Sequence, residues 1–161
     1  MRKFQVALAI LMSVTLCGCS ILDRLKNDPK KIESANAEKI FEYIKDEDTD
    51  ALCGLFAEYV QDTHDLEAEW EAFFDAIDGT PVSYSGLSFP GEGYETDPDG
   101  NVIDSHLSVN YNGVKTDTGE TYDEFGYLIY QAYADDPSQE GLINFCVYLA
   151  DSDEWVTVGD S

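Results

Sequence analysis

The chain has 161 residues and a formal net charge of −24 at pH 7, from 33 Asp and Glu against 9 Lys and Arg. A protein this acidic repels phosphate backbones, so we exclude nucleic acid as a partner. Its length and its 43% hydrophobic residues are sufficient for the core of one domain.

The start of the chain has the layout of an export signal. Arg2 and Lys3 precede an apolar stretch, residues 4–16, which is shorter than the roughly 20 apolar residues that a membrane-spanning helix needs. The next residues, Leu16-Cys17-Gly18-Cys19, resemble the lipobox of bacterial lipoproteins. In that family the last cysteine receives a diacylglyceryl group and becomes the first residue of the mature chain. An ordinary cleaved secretory peptide is the alternative.

The lipobox predicts where the protein resides. Residues 1–18 would be the signal peptide, and Cys19 would carry the lipid. Two or three acyl chains, such as palmitate, hold a protein stably on a bilayer, so the membrane is the expected partner and the cell membrane, facing outside the cytoplasm, the expected location. We interpret residues 19–33 as a flexible tether and residues 34–161 as a single domain.

Basic residues are concentrated near the predicted anchor. Beyond Lys45 the only one is Lys115, whereas six lie between the anchor and that point: Arg24, Lys26, Lys30, Lys31, Lys39 and Lys45. Near a membrane, each basic residue gains on the order of 1 kcal/mol from anionic headgroups. The acidic remainder of the chain is repelled outward.

Three helices are predicted before residue 80. Ser34 would cap the first, whose apolar residues Ile40, Phe41 and Ile44 recur at helical spacing. Asp48 or Thr49 would cap the second, which carries an apolar set, Leu52, Leu55, Phe56 and Tyr59. The third spans residues 65–77 and has an apolar stripe formed by Leu66, Trp70, Phe73, Phe74 and Ile77.

After residue 80 the hydrophobic pattern alternates, which indicates strands. We predict four, at residues 82–89, 102–111, 121–133 and 142–149, with residues 155–158 as an edge strand or a tail. Turn residues separate them, for example Pro90-Gly91 and Asp99-Gly100. Helices followed by strands predict an α+β fold, with about three N-terminal helices on a bent four-stranded antiparallel sheet.

No metal site or cofactor is expected. Asp46, Asp48 and Asp50 resemble the start of a calcium loop, but Ala51 and Ala57 stand where such a loop needs glycine and glutamate. Of the thiols left after processing, Cys53 and Cys146, we favour two packed thiols over one disulfide.

His106 and Asp104 are the candidate catalytic residues. They lie on one side of a predicted strand, where an aspartate could orient a histidine for acid–base catalysis. The same alternation of polar and apolar residues is expected in any strand with one face in solvent. His64, among Asp62, Asp65 and Glu67, is expected to be solvated. No nucleophile motif or phosphate loop accompanies either histidine.

Several segments together resemble a lipoprotein family of Gram-positive bacteria that carries domain of unknown function 5104. They are AEKIFEYI (37–44), DALCGLF (50–56), FFD (73–75) before Gly79, VSY (82–84), KTDTGETY (115–122) and DDP (135–137) before GLI (141–143). The resemblance implies the cone-shaped fold of nuclear-transport-factor-2-like, or cystatin-like, proteins, in which helices pack into a strongly bent antiparallel sheet. It implies no activity and no catalytic positions.

These observations favour a lipid-anchored binding module without catalytic activity. Its ligand would be a small molecule, a cell-wall component or a membrane protein. The alternatives are a pocket enzyme of hydrolase, dehydratase or isomerase type that uses His106 and Asp104, and a purely structural adaptor.

Overall fold

The computed structural model describes residues 28–161. The predicted signal peptide and Cys19 lie outside these residues, as does most of the predicted tether. In the described part, none of the helices is both long and apolar enough to span a membrane.

Within residues 28–161, four helices precede six strands. The helices are α1 (Pro29–Lys45), α2 (Thr49–Cys53), α3 (Glu58–Thr63) and α4 (Leu66–Ala76). The strands are β1 (Pro81–Ser83), β2 (Gly86–Thr96), β3 (Val102–Thr116), β4 (Thr121–Tyr133), β5 (Gly141–Leu149) and β6 (Glu154–Gly159), with one 3₁₀ turn (Pro137–Gln139) before β5. The order of helices and strands agrees with the prediction, but the predicted three helices and four strands are wrong.

Helix α1 begins earlier than predicted. Asp28 caps it by accepting a hydrogen bond from the Lys30 N–H, and Pro29 occupies the first turn, where its missing N–H costs nothing. The predicted cap, Ser34, instead donates its hydroxyl to the Lys30 carbonyl inside the helix. Residues 29–33, assigned to the tether, are therefore helical.

The predicted second helix is two helices because its middle pairs with a strand. Phe56 forms a parallel bridge with Leu142 of β5. The Leu142 N–H donates to the Leu55 carbonyl at 2.9 Å, and the Ala57 N–H donates to the Leu142 carbonyl at 2.9 Å. These bonds replace the helical ones, so α2 ends at Cys53 and α3 begins at Glu58. Asp48, one of the two predicted caps, caps α2. Asp65 caps α4, for which no cap was predicted.

The six strands form one antiparallel sheet. Its order is β1-β3-β4-β5-β6, and β2 pairs with β3 further along the edge that β1 uses. The predicted strand at residues 82–89 is divided because Ser85 bonds to the Asn112 carbonyl through both its N–H and its hydroxyl. The turn predicted at Pro90-Gly91 is wrong: β2 continues through it with a shift of register, which an edge strand tolerates.

One hydrophobic core lies between the helices and one face of the sheet. On β3, Leu107, Val109 and Tyr111 are buried in it, while the alternate residues are partly exposed. We call the helix-covered face the inner face and the other the outer face. Trp70 and Phe73 of α4 contact inner-face rings, with centroid distances of 5.2 Å from Trp70 to Phe145 and 5.5 Å from Phe73 to Phe125.

Cys53 and Cys146 are both free and half-buried. Cys53 lies in α2, and Cys146 lies on the outer face of β5. Burial raises the pKa of both thiols, so little thiolate forms near neutral pH and both sulfurs are poor nucleophiles.

A buried carboxylate joins α1 to the inner face. Glu33 is completely buried and accepts three hydrogen bonds: from the Tyr127 hydroxyl at 2.8 Å, from Gln131 Nε2 at 3.1 Å and from Asn36 Nδ2 at 3.2 Å. Its burial is tolerated because every contact is a donor. Burial also raises the pKa of Tyr127, which keeps its hydroxyl protonated and able to donate.

Glu33→Ala tests this contact. It leaves the buried Tyr127 hydroxyl without an acceptor, so we expect the free energy of unfolding to fall by about 1–3 kcal/mol. Glu38→Ala, an exposed position on the same helix, is the control and should change it by less than about 0.5 kcal/mol. Urea denaturation measures both, and equal losses would contradict a specific role for Glu33.

Candidate functional site

The predicted pair, His106 and Asp104, does form. His106 Nδ1 lies 2.7 Å from Asp104 Oδ1, on the outer face of β3. The imidazole lies above Gly93 of β2 and 5.0 Å from the Tyr130 ring of β4. The sequence pattern placed the two side chains on one face of the strand, as observed, but it did not reveal which residues of the neighbouring strands lie beside them.

No described cleft adjoins this pair. The structure has three main concavities among residues 28–161, and neither His106 nor Asp104 lines any of them. His106 is flanked by neighbouring strands on an open sheet face, with 34% of its side chain exposed. A general base needs a bound substrate within hydrogen-bonding reach, and substrates are usually held in enclosed, largely apolar clefts.

The most enclosed concavity, which we call the acidic cleft, lies at one end of the sheet. It has a volume of about 300 Å³ and is formed by residues just after α4, at the start of β4 and in the turn from β5 to β6. Four carboxylates and two aromatic rings line it: Asp78, Glu120, Asp123, Asp151, Tyr122 and Tyr148. No lysine, arginine or histidine is among its lining residues.

Hydrogen bonds hold both rings in place. The Tyr122 hydroxyl accepts from the Asp78 N–H at 2.7 Å, which ties β4 to the segment after α4. The Tyr148 hydroxyl donates to Asp153 in the β5–β6 turn, and this bond raises the pKa of Tyr148. Carboxylates and tyrosine faces both attract cations, so the lining is suited to a positively charged organic group.

The other two clefts are more open. One, with a volume of about 460 Å³, lies beside α1 and is lined by both acidic and basic residues, including Glu38, Glu42 and Lys39 next to Tyr84. The other, about 250 Å³, lies between α2 and the start of α4 and is lined in part by Cys53 and His64. Neither has the uniform charge of the acidic cleft.

His64 is not the solvated residue that the sequence predicts. Its Nδ1 lies 2.9 Å from Glu69 Oε1 and its Nε2 lies 2.9 Å from Asp160 Oδ1, so both ring nitrogens face carboxylates. The predicted neighbours Asp62, Asp65 and Glu67 make neither contact. The sequence analysis did not identify Asp160 as a partner of His64, because Asp160 is 96 residues away along the chain and no local pattern connects the two residues.

The acidic residues do not form a metal centre. Within residues 28–161, no group of three or more His, Cys, Asp or Glu is arranged to hold a metal ion. The Asp46, Asp48 and Asp50 series belongs to the junction of α1 and α2, where Asp48 is a helix cap.

Comparison with known families gives one match. A sequence-family model described as "Domain of unknown function (DUF5104)" matches residues 39–150, which is more than half of the chain. The chain belongs to the DUF5104 family. The predicted membership is thereby confirmed, and the matched residues include almost all of the acidic cleft. Comparison with curated proteins gives no match.

Gly93→Ala tests the packing of His106. A Cβ at this position would overlap the imidazole ring, so we expect the ring to turn away and lose its contact with Asp104, at a cost of about 1 kcal/mol of stability. Gly86→Ala, on the same strand with open space around the added Cβ, is the control. Proton exchange at the imidazole measures the loss of the contact with Asp104, and thermal denaturation measures the loss of stability. Identical behaviour of the two variants would contradict the packing described here.

Proposed function

We propose that this DUF5104 protein is a lipid-anchored, non-catalytic binding module on the outer surface of the cell membrane of a Gram-positive bacterium. The acidic cleft would be its binding site, and the ligand a small molecule or exposed cell-wall group that carries positively charged amines. The observation that carries the proposal is the uniformly acidic lining of the most enclosed concavity, with two tyrosine rings within it.

We infer the anchor from the sequence that precedes the described domain. The basic residues Arg2 and Lys3, the short apolar stretch and the lipobox ending at Cys19 all indicate a lipoprotein signal peptide. Helix α1 begins at Pro29, so only the nine residues 20–28 separate Cys19 from the folded domain. Fully extended, they span at most about 30 Å, which would hold the domain close to the bilayer.

The cleft lies at the end of the sheet away from the start of α1, the element that follows the predicted anchor. The first turn of α1 contacts β4 near its end, where Gln131 Nε2 bonds to Glu33. Tyr122 of the cleft is nine residues earlier on the same strand. At about 3.3 Å per residue, the cleft is roughly 30 Å from the start of α1. A ligand arriving from outside the cell could therefore reach it.

The charge of the domain supports a cationic ligand. Lys115 is the only basic residue after Lys45, so the potential around the cleft is strongly negative. Negative potential concentrates cations, and the concavity gives a bound molecule contact area as well as charge. Anionic ligands would be repelled by the same field.

The enzyme alternative has less support. His106 as general base and Asp104 as its orienting partner are in contact, but neither residue lines any of the three clefts described above. We therefore favour binding over catalysis.

Cys19→Ala tests the anchor. Without the acceptor thiol, labelling with an alkyne analogue of palmitate should be lost and the protein should remain unprocessed or leave the membrane fraction. Cys17→Ala is the matched control, because it removes the neighbouring thiol and leaves Cys19 in place. Labelling of the Cys19→Ala variant at the control level would rule out the anchor.

The double variant Asp123→Asn/Asp151→Asn tests the cleft. With the full-length protein in detergent and spermidine as a probe of organic amine binding, we expect the Kd to rise roughly tenfold, since each exposed ion pair contributes up to about 1 kcal/mol. Titration calorimetry measures it.

The control for the cleft is Glu95→Gln/Asp99→Asn. It removes the same charge from the opposite end of the sheet, on β2 and the turn to β3. This control should bind spermidine as the wild type does. Equal weakening in both double variants, or no binding to the wild type, would contradict the proposed site.

A further inference from the structure

An imidazole lies at the centre of the side-chain contacts that hold the end of β6. His64, just after α3, bridges Glu69 of α4 and Asp160, with 2.9 Å between each ring nitrogen and its carboxylate oxygen. Glu69 Oε2 also accepts from the Gly159 N–H at 2.7 Å, and the Tyr59 hydroxyl donates to Asp160 Oδ2 at 2.7 Å. We call these five residues the clasp: Tyr59, His64, Glu69, Gly159 and Asp160.

The clasp requires a protonated imidazole. A neutral histidine has one N–H and one bare nitrogen, and a bare nitrogen facing a carboxylate is repelled. Because both nitrogens face carboxylates, both must donate, and only the imidazolium can do so. The deprotonated ring would lose one hydrogen bond and leave two carboxylates close together without a positive charge between them.

We propose that the clasp is a protonation-dependent latch, which holds the end of β6 on α3 and α4 when His64 is charged and releases it when His64 is neutral. Release would uncover the Phe56 ring and the Ile143 carbonyl on β5. Asp160 N–H donates to that carbonyl at 3.0 Å, and Gly159 lies so close to Phe56 that a Cβ there would be 2.7 Å from its ring.

The titratable groups described around His64 are carboxylic acids, a phenol and a thiol, and none of them is a base. Tyr59 approaches from α3, Glu69 from α4, and Asp160 from the segment after β6. Cys53 of α2, Asp65 and Glu67 line the adjoining cleft with His64. Burial and the bond to Asp160 raise the pKa of Tyr59 to about 12, so it remains a donor throughout the range in which His64 titrates.

The sign of the pH dependence follows from the two partners. Hydrogen bonds to Glu69 and then to Asp160 raise the pKa of His64, so its contribution is full below about pH 6.5 and is lost as the pH rises through the raised value. The bond from Tyr59 and then that from His64 lower the pKa of Asp160, so its contribution is present above about pH 3.9 and is lost below the lowered value. The latch is therefore strongest between about pH 4 and 6.5.

Hydrogen exchange with mass spectrometry on the full-length protein tests the latch. After correction for the intrinsic effect of pH, peptides containing Gly159 and Asp160 should lose protection as the pH rises through the pKa of His64, while peptides from the middle of β4 should not. The chain has two histidines, so exchange at the imidazole carbon measures each pKa separately in the same experiment.

Three variants identify the group responsible. His64→Gln should show low protection from exchange at Gly159 and Asp160 at every pH. Asp160→Asn should shift the loss of protection to lower pH, because it removes one of the two carboxylates that raise the pKa of His64. His106→Gln is the matched control, since its single carboxylate partner lies on the outer face of β3, and it should behave as the wild type. Wild-type protection that is constant between about pH 5 and 9, or a pH-dependent loss that persists in His64→Gln, would overturn the proposal.

Discussion

The docking of α4 on the inner face is the interaction on which the rest of the structure depends. Trp70 and Phe73 are completely buried against Phe125 of β4 and Phe145 of β5. Full burial of each such ring stabilises the fold by about 1.5–3 kcal/mol, and the edge-to-face contacts add to this. The same docking sets the positions of both ends of α4. One end leads into the acidic cleft through Asp78, and the other presents Glu69 to His64.

Helix α1 is attached to the sheet in a different way. Its apolar residues join the core, but its first turns are oriented by Glu33, whose three donors come from α1 itself and from β4. A buried carboxylate tolerates little displacement, because any shift leaves donors unpaired in an apolar environment. This rigidity matters for the proposed function, since α1 is the element that follows the predicted anchor. A fixed α1 holds the cleft at a fixed position relative to the start of the domain.

The two histidines show how the fold separates residues that look alike in sequence. Each has acidic neighbours along the chain, and the closer local pairing belongs to His106. The fold leaves His106 on an open face with one carboxylate and places His64 between two. Neither outcome is a property of local composition. The bridge between α3, α4 and the end of β6 arises only because β6 pairs with β5 and returns the chain to the helices.

Features that depend on near neighbours along the chain could be predicted from local residue patterns. The hydrophobic period distinguished the helical first half from the stranded second half, and the cap Asp48 follows from short-range hydrogen bonding within its own segment. The tertiary structure alone decided where long-range pairing overrides these tendencies. Phe56 left a helical pattern to bridge Leu142, and Pro90-Gly91 stayed within a strand because β2 lies at an edge. Glu33 and Asp160 acquired partners 94 and 96 residues away, and such contacts depend on the packing of elements that no local pattern specifies.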